Sequence, residues 1–153
     1  MRNTRSLQLE QLEQKLTAYK AAGKVPIPPT GWIKNIRSSL NMTMEQLGRK
    51  LGMTRQGVRS IEERESSGSI SIKTLKEVGN AMDMQLVYGF IPKDGSMQKM
   101  IKRKAKELAK RIVLRTSHNM VLEDQGNGEE KIKKAIEELA EELEREMRKS
   151  LWD

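Results

Sequence analysis

The segment at residues 43–61 constrains the fold most, because its turn-forming residues recur at the spacing of two short helices. Thr43, with Gln46 three residues later, forms a capping box, so a helix is predicted to begin there. Gly52 suits the left-handed conformation that ends such a helix. Thr54 is a residue type that caps helices, so a second helix is predicted to follow directly. The segment therefore predicts two short helices joined by one tight turn.

The apolar residues of this segment fall at positions where two packed helices would bury them. Gly48 is predicted to lie where the two helices approach closely, and Met53 to fill the core beneath the turn. The residues predicted to face inward are Leu47, Gly48, Leu51, Met53, Val58 and Ile61. Two helices joined in this way form a helix-turn-helix, whose second helix can enter the major groove of DNA.

The polar side of the second predicted helix faces outward, where it can meet DNA. Arg binds the guanine edge in a bidentate manner, and Gln binds the adenine edge. Glu63 has two interpretations, because it can accept a hydrogen bond from cytosine or repel phosphates and so sharpen selectivity. The alternative for the whole set is that these side chains are only solvated. The residues predicted to bind DNA are Thr43, Thr54, Arg55, Gln56, Arg59, Ser60 and Glu63.

The remaining sequence divides the chain into three predicted parts. Residues 1–30 are predicted to form an N-terminal helix, over residues 6–22, and a proline-rich linker. Residues 31–84 are predicted to form the helix-turn-helix DNA-binding domain. Residues 85–153 are predicted to contain one strand, at residues 85–91, followed by two helices.

The two C-terminal helices carry opposite charge, although the chain as a whole carries +8. Residues 98–116 contain eight basic side chains and one acidic side chain, and residues 117–153 contain 11 acidic and six basic ones. The predicted basic helix (97–115) and acidic helix (129–151) each have an apolar stripe. Either the two solvated faces attract each other, or the basic helix contacts an acidic partner such as the DNA backbone. The candidate phosphate contacts are Lys102, Arg103 and Lys106.

Composition argues against an enzyme and against metal or cofactor chemistry. The 153 residues include no Cys and one His, which excludes disulfides, thiol catalysis, Cys-ligated zinc and a multi-His metal site. His118 and the Glu123-Asp124 pair are predicted to be surface or loop residues. No apolar run reaches the roughly 20 residues needed to cross a bilayer, and no secretory signal is visible. We therefore expect a cytoplasmic binding protein with no membrane partner.

The predicted helices of residues 31–84 resemble the five-helix DNA-binding domain of phage repressors (Cro-like, XRE). Members of that family often pair an Arg of the first helix with a Glu late in the recognition helix. Arg37 and Glu62 occupy those positions, so the resemblance implies a structural ion pair between them. The expected fold is mainly α, a phage-repressor-like helix-turn-helix bundle with N- and C-terminal helical extensions and one short strand.

Motifs along the whole chain resemble the family called mobile mystery protein A. Those proteins are helix-turn-helix proteins found near mobile elements and commonly encoded beside a Fic-domain protein. The resemblance implies a transcriptional regulator of its own operon, with double-stranded DNA and a Fic-domain protein as candidate partners. The motifs are Gly-Trp-Ile (31–33), Arg55-Gln56, Glu-Ser-Ser-Gly-Ser-Ile-Ser-Ile (65–72), Leu-Val-Tyr (86–88), Met-Val-Leu-Glu-Asp-Gln (120–125) and Leu151-Trp152.

Two interpretations of the C-terminal part stay open. Residues 85–153 are predicted to form a homodimer, because one small module rarely buries enough DNA surface for tight specific binding. Alternatively, the protein is an antitoxin, an interaction module that binds and restrains a Fic-domain toxin directly. Separate Fic inhibitors resemble one another in a Ser/Thr-x-x-x-Glu-Gly/Asn helix, and no Glu of this chain is followed by Gly or Asn. Direct restraint would therefore need another contact.

Overall fold

The structure, a computed structural model, describes residues 4–117 and 128–153. His118, residues 123–127 of the predicted loop and the motif at 120–125 lie outside the described residues. The described part is helical and divides into two compact units, one formed by residues 21–89 and the other by the described residues of 4–20 and 90–153. Its α-helices are α1 (Thr4–Thr17), α2 (Trp32–Ser39), α3 (Met44–Leu51), α4 (Arg55–Ser67), α5 (Ile72–Ala81), α6 (Met97–Ser117) and α7 (Gly128–Glu146), with 3-10 helices at Ala21–Lys24 and Lys149–Trp152.

The unit at residues 21–89 is a helical bundle around one apolar core. It contains α2 to α5, four α-helices rather than the five that the resemblance to phage repressors implies. Each helix buries the apolar residues that recur along one of its sides. The buried core residues are Ile33, Leu47, Val58, Ile61, Val78 and Met82.

The predicted helix caps of the helix-turn-helix are confirmed. The Thr43 hydroxyl accepts a hydrogen bond from the Gln46 amide at 3.0 Å, and the Gln46 side chain accepts one from the Thr43 amide at 2.8 Å. Gly52 ends α3 with φ +67°, in the left-handed region. Thr54 then caps α4, its hydroxyl accepting from the Gly57 amide at 3.1 Å. These local contacts fix the turn between α3 and α4.

Two residues of the turn are placed differently from the prediction. A Cβ added to Gly48 would lie 2.7 Å from the Met53 carbonyl oxygen, so the close neighbour is the backbone of the turn rather than the second helix. Met53 is exposed and does not fill the core. Its side chain lies over Gly57 at the start of α4, 3.2 Å from where a Cβ would be. Val58 and Leu47 fill the core instead.

The predicted strand at residues 85–91 is wrong for the described chain. Residues 84–92 follow α5 without helix or strand structure. A strand needs a neighbouring strand to hydrogen-bond with, and the described residues of this one chain offer none. Residues 85–91 therefore have strand propensity, but no strand among the described residues lies beside them.

The other unit combines α1 with α6 and α7. The apolar sides of α6 and α7 pack together, and the acidic helix therefore contacts protein, as its long apolar stripe requires. The buried core residues of this unit are Ile101, Ala105, Ala109, Leu143 and Leu151, with Leu9 of α1 packed against them.

A carboxylate of α1 also contacts the start of α6 in this unit. Both oxygens of the Glu13 carboxylate accept hydrogen bonds from the Met97 amide, at 3.1 and 2.9 Å.

Two helices of this unit end earlier than predicted. α1 ends at Thr17, earlier than the predicted residue 22. The acidic helix ends at Glu146, not at residue 151, because Met147 has φ +45° and turns the chain so that Leu151 is buried.

Candidate nucleic-acid interface

A buried ion pair between α2 and α4 fixes the orientation of the second helix of the motif. Arg37 on α2 donates from Nε to Glu62 Oε1 at 2.5 Å and from Nη2 to Glu62 Oε2 at 3.3 Å. Its Nη1 donates to the Met42 carbonyl at 2.9 Å. The planar guanidinium group of Arg37 matches the two oxygens of the Glu62 carboxylate, and the hydrogen bond to the Met42 carbonyl engages the third guanidinium nitrogen. Glu62 therefore has a structural role, buried where α4 meets α2.

A second acidic residue of α4 holds the start of α2. The Glu65 carboxylate accepts from the Trp32 amide at 2.9 Å and from the Ile33 amide at 2.8 Å, so it caps α2 across 32 residues of sequence. Gly31 makes this possible, because it has φ +86° and a Cβ there would lie 2.6 Å from a Glu65 oxygen. Neither the Glu65 cap nor this role of Gly31 follows from the local sequence, since both depend on the tertiary approach of α4 to α2.

The predicted recognition residues lie together on the exposed side of α4. Val58, Ile61 and Glu62 are buried, so the residues between them point away from the core. Helical geometry places residues three and four apart on one surface. The exposed residues on this surface are Arg55, Gln56, Arg59, Ser60 and Glu63.

Both arginines of this surface lie beside carboxylates. Arg55 Nη1 is 3.5 Å from Glu45 Oε1 in the first turn of α3, and Arg59 Nε is 3.4 Å from Glu63 Oε1. These exposed pairs contribute little to stability. They can, however, orient the guanidinium groups and repel phosphates. Glu45 is therefore a further candidate residue of the interface. The sequence does not indicate this role, which follows from the short distance between Glu45 and Arg55 across the turn.

The two cap residues predicted to contact DNA are exposed, Thr43 at the start of α3 and Thr54 at the start of α4. The Thr43 and Thr54 hydroxyl oxygens accept hydrogen bonds from the backbone amides at the starts of α3 and α4. A hydroxyl that accepts in this way still has its own proton to donate. Each Thr can therefore cap its helix and donate to a phosphate oxygen.

A groove of about 570 Å³ runs beside the recognition side of α4. It is lined by Arg55 and Arg59 from α4 and by Lys34 from α2, with Glu62 and Glu63 also at its walls. Three cationic and two anionic side chains thus lie at the walls of the groove. Lys34 was not predicted from the sequence, because only the packing of α2 against α4 brings it to this place.

The basic helix α6 presents the three predicted phosphate contacts, Lys102, Arg103 and Lys106, on its exposed side. Arg103 is engaged by carboxylates: Nε and Nη2 donate to Asp94 at 2.7 and 2.9 Å, and Nη1 donates to Glu107 at 3.0 Å. These hydrogen bonds hold the pKa of the Asp94 carboxyl below its usual value and raise the pKa of Arg103. Lys102 and Lys106 are therefore better placed than Arg103 to neutralise phosphates.

The ion pairs of the unit that contains α6 and α7 bear on whether the basic helix α6 attracts the acidic helix α7 through charge. Arg103 pairs with Asp94 and Glu107, and Arg148 pairs with Glu142 and Glu146. None of the ion pairs seen between described residues joins α6 to α7. The two helices contact each other through apolar side chains, which leaves the basic side of α6 outward.

Neither a metal site nor a membrane span is found in residues 4–117 and 128–153. No group of three or more His, Asp or Glu side chains in that part of the chain is arranged to hold a metal ion. No helix described there is long and apolar enough to cross a bilayer.

Comparison with known proteins agrees with this geometry. A family model described as helix-turn-helix matches residues 33–88, which cover α2 from its second residue, α3 to α5 and the chain that follows them. No curated protein and no solved structure matches the chain. Residues 33–88 are thus a helix-turn-helix domain of the XRE type, the kind with which regulators bind DNA.

Proposed function

We propose that the protein is a sequence-specific transcriptional regulator that binds double-stranded DNA with α4 in the major groove. The observation that carries the proposal is the exposed row of Arg55, Gln56 and Arg59 on the second helix of a helix-turn-helix domain. These side chains match the hydrogen-bonding edges of guanine and adenine. The buried Arg37–Glu62 pair supports it, because it gives the recognition helix a fixed orientation.

The proposed regulator acts in the cytoplasm, as a homodimer, on the operon that encodes it. Two-fold symmetric helix-turn-helix dimers read two half-sites about 10–10.5 base pairs apart. A Fic-domain protein encoded in the same operon is the proposed second product, on the strength of the resemblance to mobile mystery protein A. We propose no enzymatic activity, since the exposed polar residues of the domain suit binding to DNA.

Footprinting of the purified protein on the DNA upstream of its own gene tests this function. We expect one protected site with two half-sites, and loss of protection when Gln56 and Arg59 are both replaced by Ala. Glu77→Ala, on the exposed surface of α5 outside the recognition side, is the matched control and should protect normally. Absence of protection, or equal protection of every sequence, would contradict the proposal.

A direct antitoxin role is the second candidate. A groove of about 440 Å³ in the unit that contains α1 and α7 is lined by Leu9, Leu12, Met147 and Trp152. Trp152 is exposed there, and exposed Trp residues frequently anchor protein interfaces. Mixing the protein with the purified Fic-domain protein tests this role. A complex that Trp152→Ala weakens supports it, and no complex at any concentration tested would remove it.

A further inference from the structure

The proline-rich linker that precedes α2 ends against the recognition helix. The Ser66 hydroxyl of α4 donates to the Pro29 carbonyl at 3.1 Å. The Glu65 carboxylate, also on α4, accepts from the first two amides of α2. These contacts hold the end of the linker in place beside α4. We call residues 24–30 the arm.

The last residue of the arm shares a groove with recognition residues. Thr30 lines the groove of about 570 Å³ together with Arg55 and Arg59 of α4. An α-helix with its side chains is about 10–12 Å across, and the major groove of DNA is about 12 Å wide. A recognition helix therefore fills the major groove, so the two sugar–phosphate walls lie against the protein surface on either side of the helix. On the side of α4 that faces α2, that surface is lined by Thr30 and Lys34.

The charge of the arm and its surroundings suits a phosphate backbone. Residues 14–44 contain five basic side chains and no acidic one. Lys24 begins the arm, and Lys34 lies just beyond its end, in the first turn of α2. Both lysines are exposed, and neither pairs with a carboxylate in residues 4–117 and 128–153. Each end of the arm therefore offers a positive charge to a ligand.

The two carboxylates of the groove already have cationic partners. Glu62 is buried, and its charge is balanced by Arg37. Glu63 lies on α4 with one oxygen 3.4 Å from Arg59 Nε. The charge of Lys34 is thus left to meet a phosphate.

The arm is stiff and exposed along its length. Its three prolines fix φ near about −65° and favour an extended backbone. Val25 and Ile27 are 54% and 71% exposed and belong to neither apolar core. Five residues in this conformation span about 15 Å, which equals roughly four steps of 3.4 Å along one DNA strand. Because the backbone is already restricted, little conformational entropy is lost when the arm binds along a strand.

We propose that the arm is a second DNA-binding element, which lies along the sugar–phosphate backbone at one wall of the major groove while α4 reads the bases. Lys24 and Lys34 neutralise phosphates at its two ends, and the Thr30 hydroxyl donates to a phosphate oxygen. Ile27 contacts the apolar face of a deoxyribose. The proposal rests on the proposed function, and it adds a DNA contact that lies outside residues 33–88, the range matched by the helix-turn-helix family model.

Photo-cross-linking tests whether the arm touches DNA, because the natural chain contains no Cys and a single one can be introduced for labelling. Ile27→Cys, labelled with an aryl azide and bound to a duplex, should become covalently attached to the DNA on irradiation. Glu77→Cys, on the exposed surface of α5, is the matched control and should give almost no attachment. Labelled Ile27→Cys that shifts the duplex in a native gel but does not cross-link to it would overturn the proposal.

The salt dependence of binding tests whether the two lysines meet phosphates. Each neutralised phosphate contributes about −0.9 to the slope of log K against log salt, so Lys24→Gln and Lys34→Gln should each flatten the slope by about 0.9 units. Lys24→Arg should keep the slope of the natural protein. Lys50→Gln, an exposed residue of α3 outside this groove, is the matched control and should also keep it. Unchanged slopes in both Lys24→Gln and Lys34→Gln would overturn the proposal.

The arm and the proposed function can fail separately, because phosphate contacts carry no sequence information. A protein that binds every duplex equally, cross-links through residue 27 and loses slope with Lys24→Gln would contradict sequence-specific regulation and support the arm. A protein that protects its own upstream site, but neither cross-links there nor loses slope, would overturn the arm alone. A protein that binds no duplex would overturn both.

Discussion

Arg37 and Glu62 form an ion pair inside the helix-turn-helix domain, with Arg37 Nε 2.5 Å from Glu62 Oε1 and side chains only 10% and 4% exposed. The pair joins α2 to the middle of α4. Because a charge buried without its partner is very costly, the two helices are held in one mutual orientation. The direction in which α4 presents its outward residues depends on this contact.

Removal of one member of this pair should destabilise the domain strongly. Glu62→Gln leaves the Arg37 charge buried without a counter-ion, and we expect a loss of about 3–5 kcal/mol in the free energy of unfolding. Glu63→Gln, the neighbouring exposed residue, should cost less than about 0.5 kcal/mol. Urea unfolding of both variants provides the comparison. Equal effects, or no coupling between Arg37→Met and Glu62→Gln in a double-mutant cycle, would show that the pair does not act in this way.

The Glu65 cap predicts a difference between two glycines of the same domain. Gly31 and Gly68 both have positive φ, +86° and +81°, but only Gly31 has a side chain within 4 Å of an added Cβ. Ala is strained at both positions, and more so at Gly31, whose ψ of 161° lies in a region essentially restricted to glycine, whereas Gly68 has ψ 11° in the left-handed helical region. Gly31→Ala should also lose about 1 kcal/mol from the displaced Glu65 cap. Thermal unfolding measures both, and a loss for Gly31→Ala no larger than that for Gly68→Ala would contradict this account of Gly31.

The sequence predicts the local parts of the helix-turn-helix well, for a physical reason. The caps at Thr43 and Thr54 and the left-handed Gly52 involve residues within three positions of one another, so the sequence contains the whole interaction. The inward positions Leu47 and Val58 follow from helical periodicity. These elements need no knowledge of the remaining chain.

Contacts between distant residues could not be predicted in the same way. The caps made by Glu65 on Ile33 and by Glu13 on Met97 span 32 and 84 residues. Nothing in the local sequence distinguishes these Glu residues from solvated ones. The strand at residues 85–91 was wrong because β propensity describes the side chains, whereas strand formation needs a hydrogen-bonding partner.

The basic helix should set part of the salt dependence of DNA binding, and Lys102 and Lys106 should dominate it. Each neutralised phosphate contributes about −0.9 to the slope of log K against log salt. Lys102→Gln with Lys106→Gln should therefore flatten the slope by about 2 units and leave base preference intact. Arg103→Gln is the matched control, since its donors already bind Asp94 and Glu107. If the double variant instead only lowers the melting temperature, the lysines act within the fold.

The Asp94–Arg103 contact predicts a pH dependence. Arg103 holds the pKa of the Asp94 carboxyl below its usual value in the folded protein. The resulting stabilisation is present above about pH 4, the ordinary range of Asp, and is lost as the pH falls through the lowered pKa. NMR titration should show the Asp94 pKa returning to its usual value in Arg103→Gln but not in Lys102→Gln. An unchanged pKa in Arg103→Gln would assign the shift to another group.

Selection of binding sites from a random duplex DNA library tests the central claim most directly. If α4 reads bases through Arg55, Gln56 and Arg59, the natural protein should enrich one consensus with two half-sites. Gln56→Ala should lose preference at one base pair of each half-site, at a cost of about 1–3 kcal/mol. Glu77→Ala on α5 should enrich the unaltered consensus. Selection of the same consensus by Gln56→Ala, Arg55→Ala and Arg59→Ala, or enrichment of no sequence by the natural protein, would contradict the account.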